Sequence, residues 1–308
     1  MDLAKYLAKR IVIGAITLLL LMTITFFLMR IMPGSPFASE QPMPPQVFAA
    51  FERRYNLDAP LIEQYFCYMK NALRGDLGES FKRVGISVNS MIKSGAPISI
   101  RLGGVAFSIS MVVGITFGII SALSKSKIVG GTVQVVSTLG ISLPSFLVAL
   151  MLMIVFGVRI RLFPIVGLTS PRHYVLPAVS LSMYPIAYIS KLVRSSLSEV
   201  MRQDYIRMAK AKGLSKGKVV LRHALKNAML PVVTYTGPLI AFLMTGSFVI
   251  ETIFTVPGIG AEFVKSITNR DYSVIMGMTV YLGSLVVVCN ILCDFMCALI
   301  DPRVKLDR

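Results

Sequence analysis

The chain has 308 residues, of which 55% are apolar and only 15% are charged, and it carries a net charge of +17. A soluble domain carries roughly 25% charged residues, so this composition argues against a soluble protein. The basic residues alternate with long uncharged runs, as in membrane proteins whose loops face anionic headgroups, and we therefore expect no nucleic-acid partner.

Six runs free of Asp, Glu, Lys and Arg predict an all-α membrane protein with six transmembrane helices. A helix that crosses the bilayer needs about 20 apolar residues, and five of the runs have the length of one such helix. The third run is longer, and we expect one helix and an apolar turn there, with a kink permitted by Gly140 and Pro144. The six runs are Ile11–Met29, Leu102–Ser124, Ile128–Val158, His173–Ser190, Asn227–Ile250 and Tyr272–Cys293.

These runs divide the chain into four parts. An N-terminal transmembrane helix occupies residues 1–31, and a segment outside the membrane occupies residues 32–100. A core of five transmembrane helices follows at residues 101–300 and includes a large loop at residues 191–229. Residues 301–308 form a short tail.

The distribution of basic residues predicts the orientation. Ten Lys or Arg residues and two acids lie between residues 191 and 226, and other basic residues precede the first run, follow the second and lie in the tail. With six spans, all of these fall on one side, which predicts that both termini are cytoplasmic. Arg159, Arg161 and Arg172 fall on the other side and do not reverse this balance.

The segment after the first run begins with five prolines between residues 33 and 45, which predict irregular structure. An amphipathic helix is predicted to begin at Pro60 and to stop at Gly75. Its apolar stripe comprises Leu61, Tyr65, Tyr68 and Ala72. About 65 residues barely sustain a core of their own, so we expect this helix to pack on the membrane helices or on a partner.

Motifs of catalysis are missing from the sequence. It contains no G-x-x-x-x-G-K-[ST] motif, which excludes ATP binding through a P-loop, and it has two histidines, too few for a histidine metal site. Cys289, Cys293 and Cys297 recur every fourth residue, so they share one helix face and are expected to pack as small apolar residues. We therefore expect no enzyme activity, no bound cofactor and no metal in this chain.

The large basic loop contains a short predicted helix. Asp204 is a suitable N-cap and Gly213 a suitable residue just past the C-terminus, so they bracket about two helical turns. A second helical run is predicted to begin near Ser215. Two readings remain open: a rigid helix that transmits the movement of a partner, or a basic helix that lies on lipid headgroups.

This loop resembles the EAA loop of bacterial ABC importer permeases, in which a short coupling helix docks on the ATPase. Ala209 and Gly213 match the general motif, and Arg202-Gln203-Asp204-Tyr205 is similar to the dipeptide/oligopeptide/nickel branch of that family. The resemblance extends along nearly the whole chain and favours the B-type subunit. Similar motifs are Met32-Pro33-Gly34-Ser35-Pro36 (where Ser35 replaces an acid), Arg74-Gly75-Asp76-Leu77-Gly78, Ser142-Leu143-Pro144-Ser145-Phe146, Glu251-Thr252-Ile253-Phe254, Pro257-Gly258-Ile259-Gly260, Asn269-Arg270-Asp271-Tyr272 and Asp301-Pro302-Arg303.

The resemblance implies a permease subunit in a bacterial plasma membrane that forms a heterodimer with a C-type permease. Two ATPase subunits would bind the ATP, and an external substrate-binding protein would deliver a peptide. The residues that the resemblance assigns to the ATPase-coupling loop are Asp204, Tyr205, Arg207, Ala209, Ala211 and Gly213. Ala209 and Ala211 are small, so we expect a partner surface to approach the helix closely at these positions.

Two short stretches are candidates for the translocation path. Pro144, Ser145 and Phe146 interrupt an apolar run, and interrupted apolar helices often line cavities. Thr245 and Ser247 flank Gly246 near the end of another run, where small residues equally permit close helix packing. For both stretches a purely structural role in packing remains open.

Three other functions remain open at this stage: a secondary transporter or channel that works alone, a membrane scaffold or receptor, and an importer of the same family that carries a nickel chelate or another small solute. A secondary transporter needs ionisable residues within the membrane for coupling, and Asp294 is the clearest candidate. Because a charge that faces lipid at depth costs roughly 2.5–3.5 kcal/mol, Asp294 is expected to face protein; the alternative is that it lies close enough to the cytoplasmic interface to be hydrated.

Overall fold

The computed structural model describes residues 3–31 and 57–300, and within these ranges the chain is mainly helical. The proline-rich stretch before residue 46, the Met32–Pro36 motif and the tail at residues 301–308 lie outside the described residues. The α-helices are α1 (Leu3–Ile31), α2 (Leu61–Leu73), α3 (Val88–Leu123), α4 (Lys127–Ser142), α5 (Ser145–Leu152), α6 (Val175–Val200), α7 (Asp204–Ala211), α8 (Lys216–Lys218), α9 (Leu225–Ala228), α10 (Leu230–Met244), α11 (Phe248–Ile253), α12 (Ile259–Thr268) and α13 (Tyr272–Ile300).

Three short turns connect these helices. A π-helical turn at Met153–Arg159 continues α5, and a 3-10 turn at Pro171–Tyr174 leads into α6. A second π-helical turn at Val219–Ala224 joins α8 to α9. The helical run from Lys216 to Ala228 is therefore nearly continuous, as the sequence predicts from Ser215 onward.

Five segments are long and apolar enough to cross a membrane, and a bent pair of helices brings the number to six. The predicted all-α fold is confirmed. The five segments are Lys5–Ile31, Val88–Leu123, Pro171–Val200, Leu230–Ile253 and Tyr272–Cys297, and the pair is Gly130–Ser142 with Ser145–Arg159.

In this region we expected one helix and an apolar turn, but the structure has two helices joined at a bend. The two helices meet at Pro144 at an angle of 106°, which is a sharp turn rather than a kink. Proline disfavours helical backbone at the residue before it and has no N–H to donate, so α4 ends at Ser142 and α5 begins after Pro144. Gly140 lies inside α4 and does not interrupt it.

The second span begins earlier than its uncharged run. In the sequence, Lys93 and Arg101 lie just before the uncharged run, but α3 includes both and starts at Val88. The side chain of Ser87 caps this start by accepting a hydrogen bond from the Ser90 amide. The predicted boundary at residue 100 therefore falls inside a helix.

Close contact between α3 and α6 forms the centre of the bundle. Gly114 and Gly118 of α3 face Ile189 and Val193 of α6 so closely that a Cβ atom at either glycine would overlap the opposing side chain. Small residues at helix interfaces let backbones approach in membrane proteins, where burial of apolar surface gives little driving force between helices. This pair is the frame against which the other helices pack.

The helix predicted at Pro60 exists and packs on the first span. Tyr65 hydrogen-bonds Thr23 at 2.9 Å and stacks on Phe27, and Tyr68 stacks on Phe26. Leu61 is 45% exposed and does not take part, so the stripe that packs on α1 is narrower than predicted, and its members are only partly buried. Burial raises the pKa of Tyr68 to about 12, which keeps its hydroxyl neutral.

The first and last spans lie side by side. Asp294 of α13 forms a salt bridge with Arg10 of α1 at 3.1 Å, and 28% of its side chain is exposed. It therefore faces protein, as predicted. Cys293 donates to the carbonyl oxygen of Val233 in α10 at 3.4 Å, and Cys289 and Cys297 are buried. The predicted packing role of the cysteine face is confirmed.

Candidate functional site

The short helix α7 lies on an apolar cluster contributed by this chain. Ile206 is fully buried and Ala209 is 7% exposed, and both point toward Leu197 of α6 and Val219 of the following turn. Ile119 near the end of α3 packs against the same cluster. Spans and loop thus share one core, so α7 is supported over its inner face.

The two ends of α7 differ from each other in how well the sequence predicts them. Gly213 has φ of 78° and follows the C-cap Lys212, which confirms it as the left-handed residue that ends the helix. Asp204 was expected to be the N-cap, and this is wrong, because the extended residue before the helix is Gln203. Asp204 instead lies in the first turn, where its negative charge interacts favourably with the helix dipole.

The outer face of α7 is exposed and carries mixed charge. Tyr205 is 37% and Met208 is 62% exposed, and Ala211 is also exposed. Arg207 lies 3.3 Å from Asp204, and both side chains are largely in solvent. Of the two small residues expected to face a partner, Ala211 is outward, whereas Ala209 is buried under its own chain. The expectation for Ala209 is therefore corrected.

A side-chain hydrogen bond ties α7 to the helix that follows the loop. The Asn227 amide donates to the Tyr205 hydroxyl at 2.8 Å. Asn227 lies in α9, which leads directly into the span that begins with α10. This contact and the apolar cluster together join α7 to three spans.

The two candidate path stretches are brought near each other by contacts between α5 and α11. Pro144, Ser145 and Phe146 are all exposed, with Phe146 at 42%. Thr245 and Ser247 flank Gly246, and these three residues form the break between α10 and α11. The Thr245 hydroxyl donates to the Phe242 carbonyl at 2.9 Å. Two helix breaks therefore occur in neighbouring elements of the bundle.

A buried glutamate that sequence reasoning did not single out lies beside the second break. Glu251 is 0% exposed, and its carboxylate accepts from the Ser99 hydroxyl at 2.7 Å and from the Ala261 amide at 2.8 Å. The Gly260 amide also donates to it. Ser99 in turn accepts from the Ile259 amide at 2.9 Å. The first three amides of α12 are thus satisfied by side chains from two other helices.

Gly246 is required by this arrangement. It has φ of 84°, and a Cβ there would overlap the Glu251 carboxylate. The break between α10 and α11 therefore places the carboxylate against α12. The sequence signal was available: a lone acid, Glu251, ends an apolar run and is followed by the Pro257-Gly258 start of a helix.

A second buried carboxylate fixes the segment that precedes α3. Asp271 is 3% exposed and accepts from the Ser80 hydroxyl and from the Phe81 amide at 3.0 Å. The same carboxylate lies 3.5 Å from the Val274 amide in the first turn of α13. Asp271 therefore caps the last span and holds residues 80–82 against its start.

A bundle of membrane-crossing helices, two broken spans and a supported surface helix between spans together define a polytopic membrane transport protein. Family comparison agrees with this class. Residues 114–306 match the family described as binding-protein-dependent transport system inner membrane component, and residues 3–88 match the N-terminal domain of such membrane components. The chain belongs to this family.

Full-length relatives carry specific names. The chain is 45% identical to the dipeptide transport system permease protein DppB of Bacillus subtilis over 99% of both chains. It is 42% identical to the oligopeptide transport system permease protein OppB of Haemophilus influenzae, over 98% of this chain and 99% of that one.

Solved structures with the same fold are also transporters. A chain of an amino acid ABC transporter aligns with a TM-score of 0.52 and 14% identity, covering 70% of this chain and 94% of that one. A chain of the inward-facing MetNI methionine ABC transporter aligns with a TM-score of 0.54 and 15% identity, covering 68% and 96%. The fold is that of ABC importer permeases.

Proposed function

We propose that this chain is the B-type permease subunit of an ABC importer for peptides and that α7 is its coupling helix. The names of the full-length relatives support the peptide substrate. The partners are a C-type permease, two ATPase subunits and an external substrate-binding protein. The importer lies in a bacterial plasma membrane, and both termini are cytoplasmic.

The observation that carries the coupling assignment is the two-sided character of α7. Its inner face is packed on the ends of α3 and α6 and on the segment that leads into α10, whereas Met208 and Ala211 on its outer face are open. A partner that pushes on the outer face moves the spans, because the helix has no free space beneath it. Met208 provides the apolar contact, and the charged neighbours Asp204 and Arg207 form a polar rim.

Transport follows from this arrangement. ATP closes the ATPase dimer, the dimer moves α7, and the movement passes through Leu197 and Ile119 into α6 and α3. The permease pair then opens outward and accepts the peptide from the binding protein. The two helix breaks at Pro144-Phe146 and Thr245-Ser247 line the path, since non-helical backbone within a membrane occurs where it borders protein or a watery cavity.

Site-directed crosslinking of the intact complex tests the coupling assignment. In a variant without the four native cysteines, Met208→Cys and Ala211→Cys should each crosslink to the ATPase subunit. Ala209→Cys is the matched control, because it lies on the same helix but is buried, and it should not react. Crosslinks from neither outer position would overturn the assignment and favour a helix that lies on lipid.

Labelling with a membrane-impermeant thiol reagent tests the orientation. Leu73 is 80% exposed in the segment predicted to be external, so Leu73→Cys should react in intact cells. Lys216→Cys in the large basic loop should react only after the membrane is opened. The reverse pattern would contradict the proposed topology.

Uptake measurements with purified components separate the substrate classes. Reconstituted complex with its binding protein should import a labelled dipeptide or oligopeptide only with ATP. Uptake of a nickel chelate instead of peptide would retain the family and reject the substrate. Uptake by this chain without ATPase subunits would indicate a secondary transporter.

A further inference from the structure

A polar cavity lies between α3, α4 and α6, apart from the outer face of α7 and from the helix breaks. Its volume is about 490 Å³. One water needs only about 10–15 Å³ measured in this way, so the cavity admits a polar group of many atoms. Its lining is Ser121, Val133, Gln134, Ser137, Ser190, Lys191, Arg194, Ser195, Ser198, Glu199 and Arg202.

The floor of the cavity is made of buried hydroxyl groups. Ser121 is 7% exposed, and its oxygen has no hydrogen-bond partner among the residues that the structure describes. Ser137 donates to Ser190 at 3.3 Å, and both are nearly fully buried. Because a buried hydroxyl without a partner is unfavourable, Ser121 indicates that a polar ligand supplies the missing hydrogen bond.

The rim of the cavity is basic. Lys191, Arg194 and Arg202 contribute three positive charges, and Glu199 is the one acid among the lining residues that the structure describes. Arg194 hydrogen-bonds the neutral Gln134 amide oxygen across the gap between α6 and α4, which fixes the guanidinium without neutralising it. The cavity thus combines a positive rim with hydroxyl donors beneath, which is the arrangement that binds a phosphate ester.

We propose that this cavity binds the phosphate headgroup of an anionic phospholipid. Ser121 lies near the end of α3, and Arg202 directly precedes the loop that carries α7, so the cavity is at the same end of the bundle as α7. Basic pockets between transmembrane helices on the cytoplasmic side bind anionic headgroups; this sidedness rests on the proposed function. Val136 and Leu139 of α4 are 44% and 53% exposed and provide an apolar path for the acyl chains.

The lipid is bound by α4 and α6 together. Its phosphate accepts from Arg194 and Lys191 on one side and from the hydroxyls of Ser121 and Ser190 beneath, while the Ser137 hydroxyl of α4 donates to Ser190 and Gln134 of α4 holds Arg194. Glu199 lies in the last turn of α6, and Arg202 lies in the short turn between α6 and α7. Headgroup occupancy therefore acts on the support of α7 rather than on its docking face.

Native mass spectrometry of the intact purified complex in neutral detergent tests this site, with phosphatidylglycerol as the probe and phosphatidylcholine as the reference lipid. The double variant Lys191→Gln/Arg194→Gln should weaken phosphatidylglycerol binding by roughly thirtyfold, because each basic side chain contributes about fivefold to the affinity for an anionic headgroup. Lys216→Gln/Lys218→Gln is the matched control, since it removes the same charge from exposed positions outside the cavity, in the segment that follows α7. An equal loss in both variants would mean non-specific surface attraction and would overturn the site.

Two single variants keep the test independent of folding. Ser121→Ala removes only the unpartnered hydroxyl and should weaken binding by a smaller factor, roughly threefold. Gln134→Glu lies at an exposed position and places a carboxylate beside Arg194, so it should abolish binding while the thermal unfolding midpoint stays unchanged. Wild-type affinity in both variants would place the headgroup elsewhere and overturn the proposal.

Competition separates the sources of the phosphate. Glycerol 3-phosphate should displace the lipid only weakly; displacement at equal concentration would assign the cavity to a soluble phosphate ester instead. Displacement by a substrate peptide would assign it to the translocation path. The assay needs no ATP turnover, so loss of this site leaves the Met208→Cys crosslink intact, and failure of that crosslink leaves lipid binding intact.

Discussion

Two short helices lie at opposite ends of α3, and they are held in different ways. The first amides of α12 are satisfied by the buried Glu251 carboxylate and the Ser99 hydroxyl. By contrast, α7 is held by apolar packing under Ile206 and by one hydrogen bond from Asn227 to Tyr205. Every charged side chain of α7 remains exposed.

The difference indicates what each end is available for. A buried carboxylate with several hydrogen-bond donors is costly to disturb, because separating it leaves a charge and several amides without partners. An apolar cluster under an exposed charged face has no such penalty on its outer side. At the end with α12, the buried polar groups are therefore satisfied within the chain, whereas at the end with α7 the charged side chains are exposed and available to a partner.

The largest expected effect is at Glu251. Replacement by leucine leaves the Gly260 and Ala261 amides and the Ser99 hydroxyl unsatisfied inside the protein, which should cost roughly 3–5 kcal/mol. Unfolding of the purified protein in detergent measures this loss. Glu262→Leu is the control: Glu262 pairs with Arg83 near the surface and should cost about 1 kcal/mol or less. Equal losses would remove the distinction between the two ends.

Asp271 should give the next largest effect. Asp271→Asn weakens the acceptor shared by Ser80 and the Phe81 amide and should cost about 2 kcal/mol. Hydrogen exchange at residues 81–83 should rise, whereas exchange in α7 should not change. Asp76→Asn serves as the control, because Asp76 is exposed and accepts from the Gly78 amide nearby. Unchanged protection at residues 81–83 would show that Asp271 does not fix this segment.

Gly213 gives a smaller effect and affects the other end. A Cβ at Gly213 meets open space, but φ of 78° disfavours any residue other than glycine, so Gly213→Ala should cost about 1 kcal/mol. Gly217→Ala is closely matched, since its Cβ also meets open space and its φ is not positive. Binding of the ATPase subunits, measured by co-purification, should fall only for Gly213→Ala. A loss for both would implicate bulk rather than backbone conformation.

The smallest expected effect is at Tyr205. Tyr205→Phe removes the hydroxyl that accepts from Asn227, and because Tyr205 is 37% exposed, water replaces much of the bond. We expect a cost of roughly 0.5 kcal/mol in stability. ATP-driven uptake should fall slightly while the apolar cluster stays intact. A loss as large as that of Ile206→Ala would show that the polar contact, rather than packing, holds α7.

Sequence patterns predicted the helices better than their ends. Uncharged runs located the spans because lipid excludes charge, but Lys93 and Arg101 hid the first turns of α3, since a long side chain can reach water or protein from within a helix. Gly213 was identified because positive φ leaves a direct residue signature. The N-cap Gln203 of α7 was missed because Asp is a preferred N-cap residue and Gln is not, and the Gln203 side chain makes no capping hydrogen bond that a sequence pattern could signal.

The partners of buried polar groups could not be predicted from local patterns. Glu251 and Ser99 are 152 residues apart, and Ser80 and Asp271 are 191 apart, so no periodicity connects them. The same limit applies to Ala209, whose small side chain fits either a docking surface or a core. Only the position of Leu197 and Val219 beneath it decides between them.

Helix α3 connects the two ends of the molecule. Ser99 belongs to the Glu251 network, and Ile119, twenty residues later and roughly 30 Å along the helix axis, belongs to the cluster under α7. Between Ser99 and Ile119, the face of α3 that carries Gly114 and Gly118 packs closely against α6. A helix held at both ends and along one face resists bending and stretching. Under the proposed coupling function, we therefore expect a force on α7 to tilt α3 and α6 together about the contact between Ser99 and Glu251.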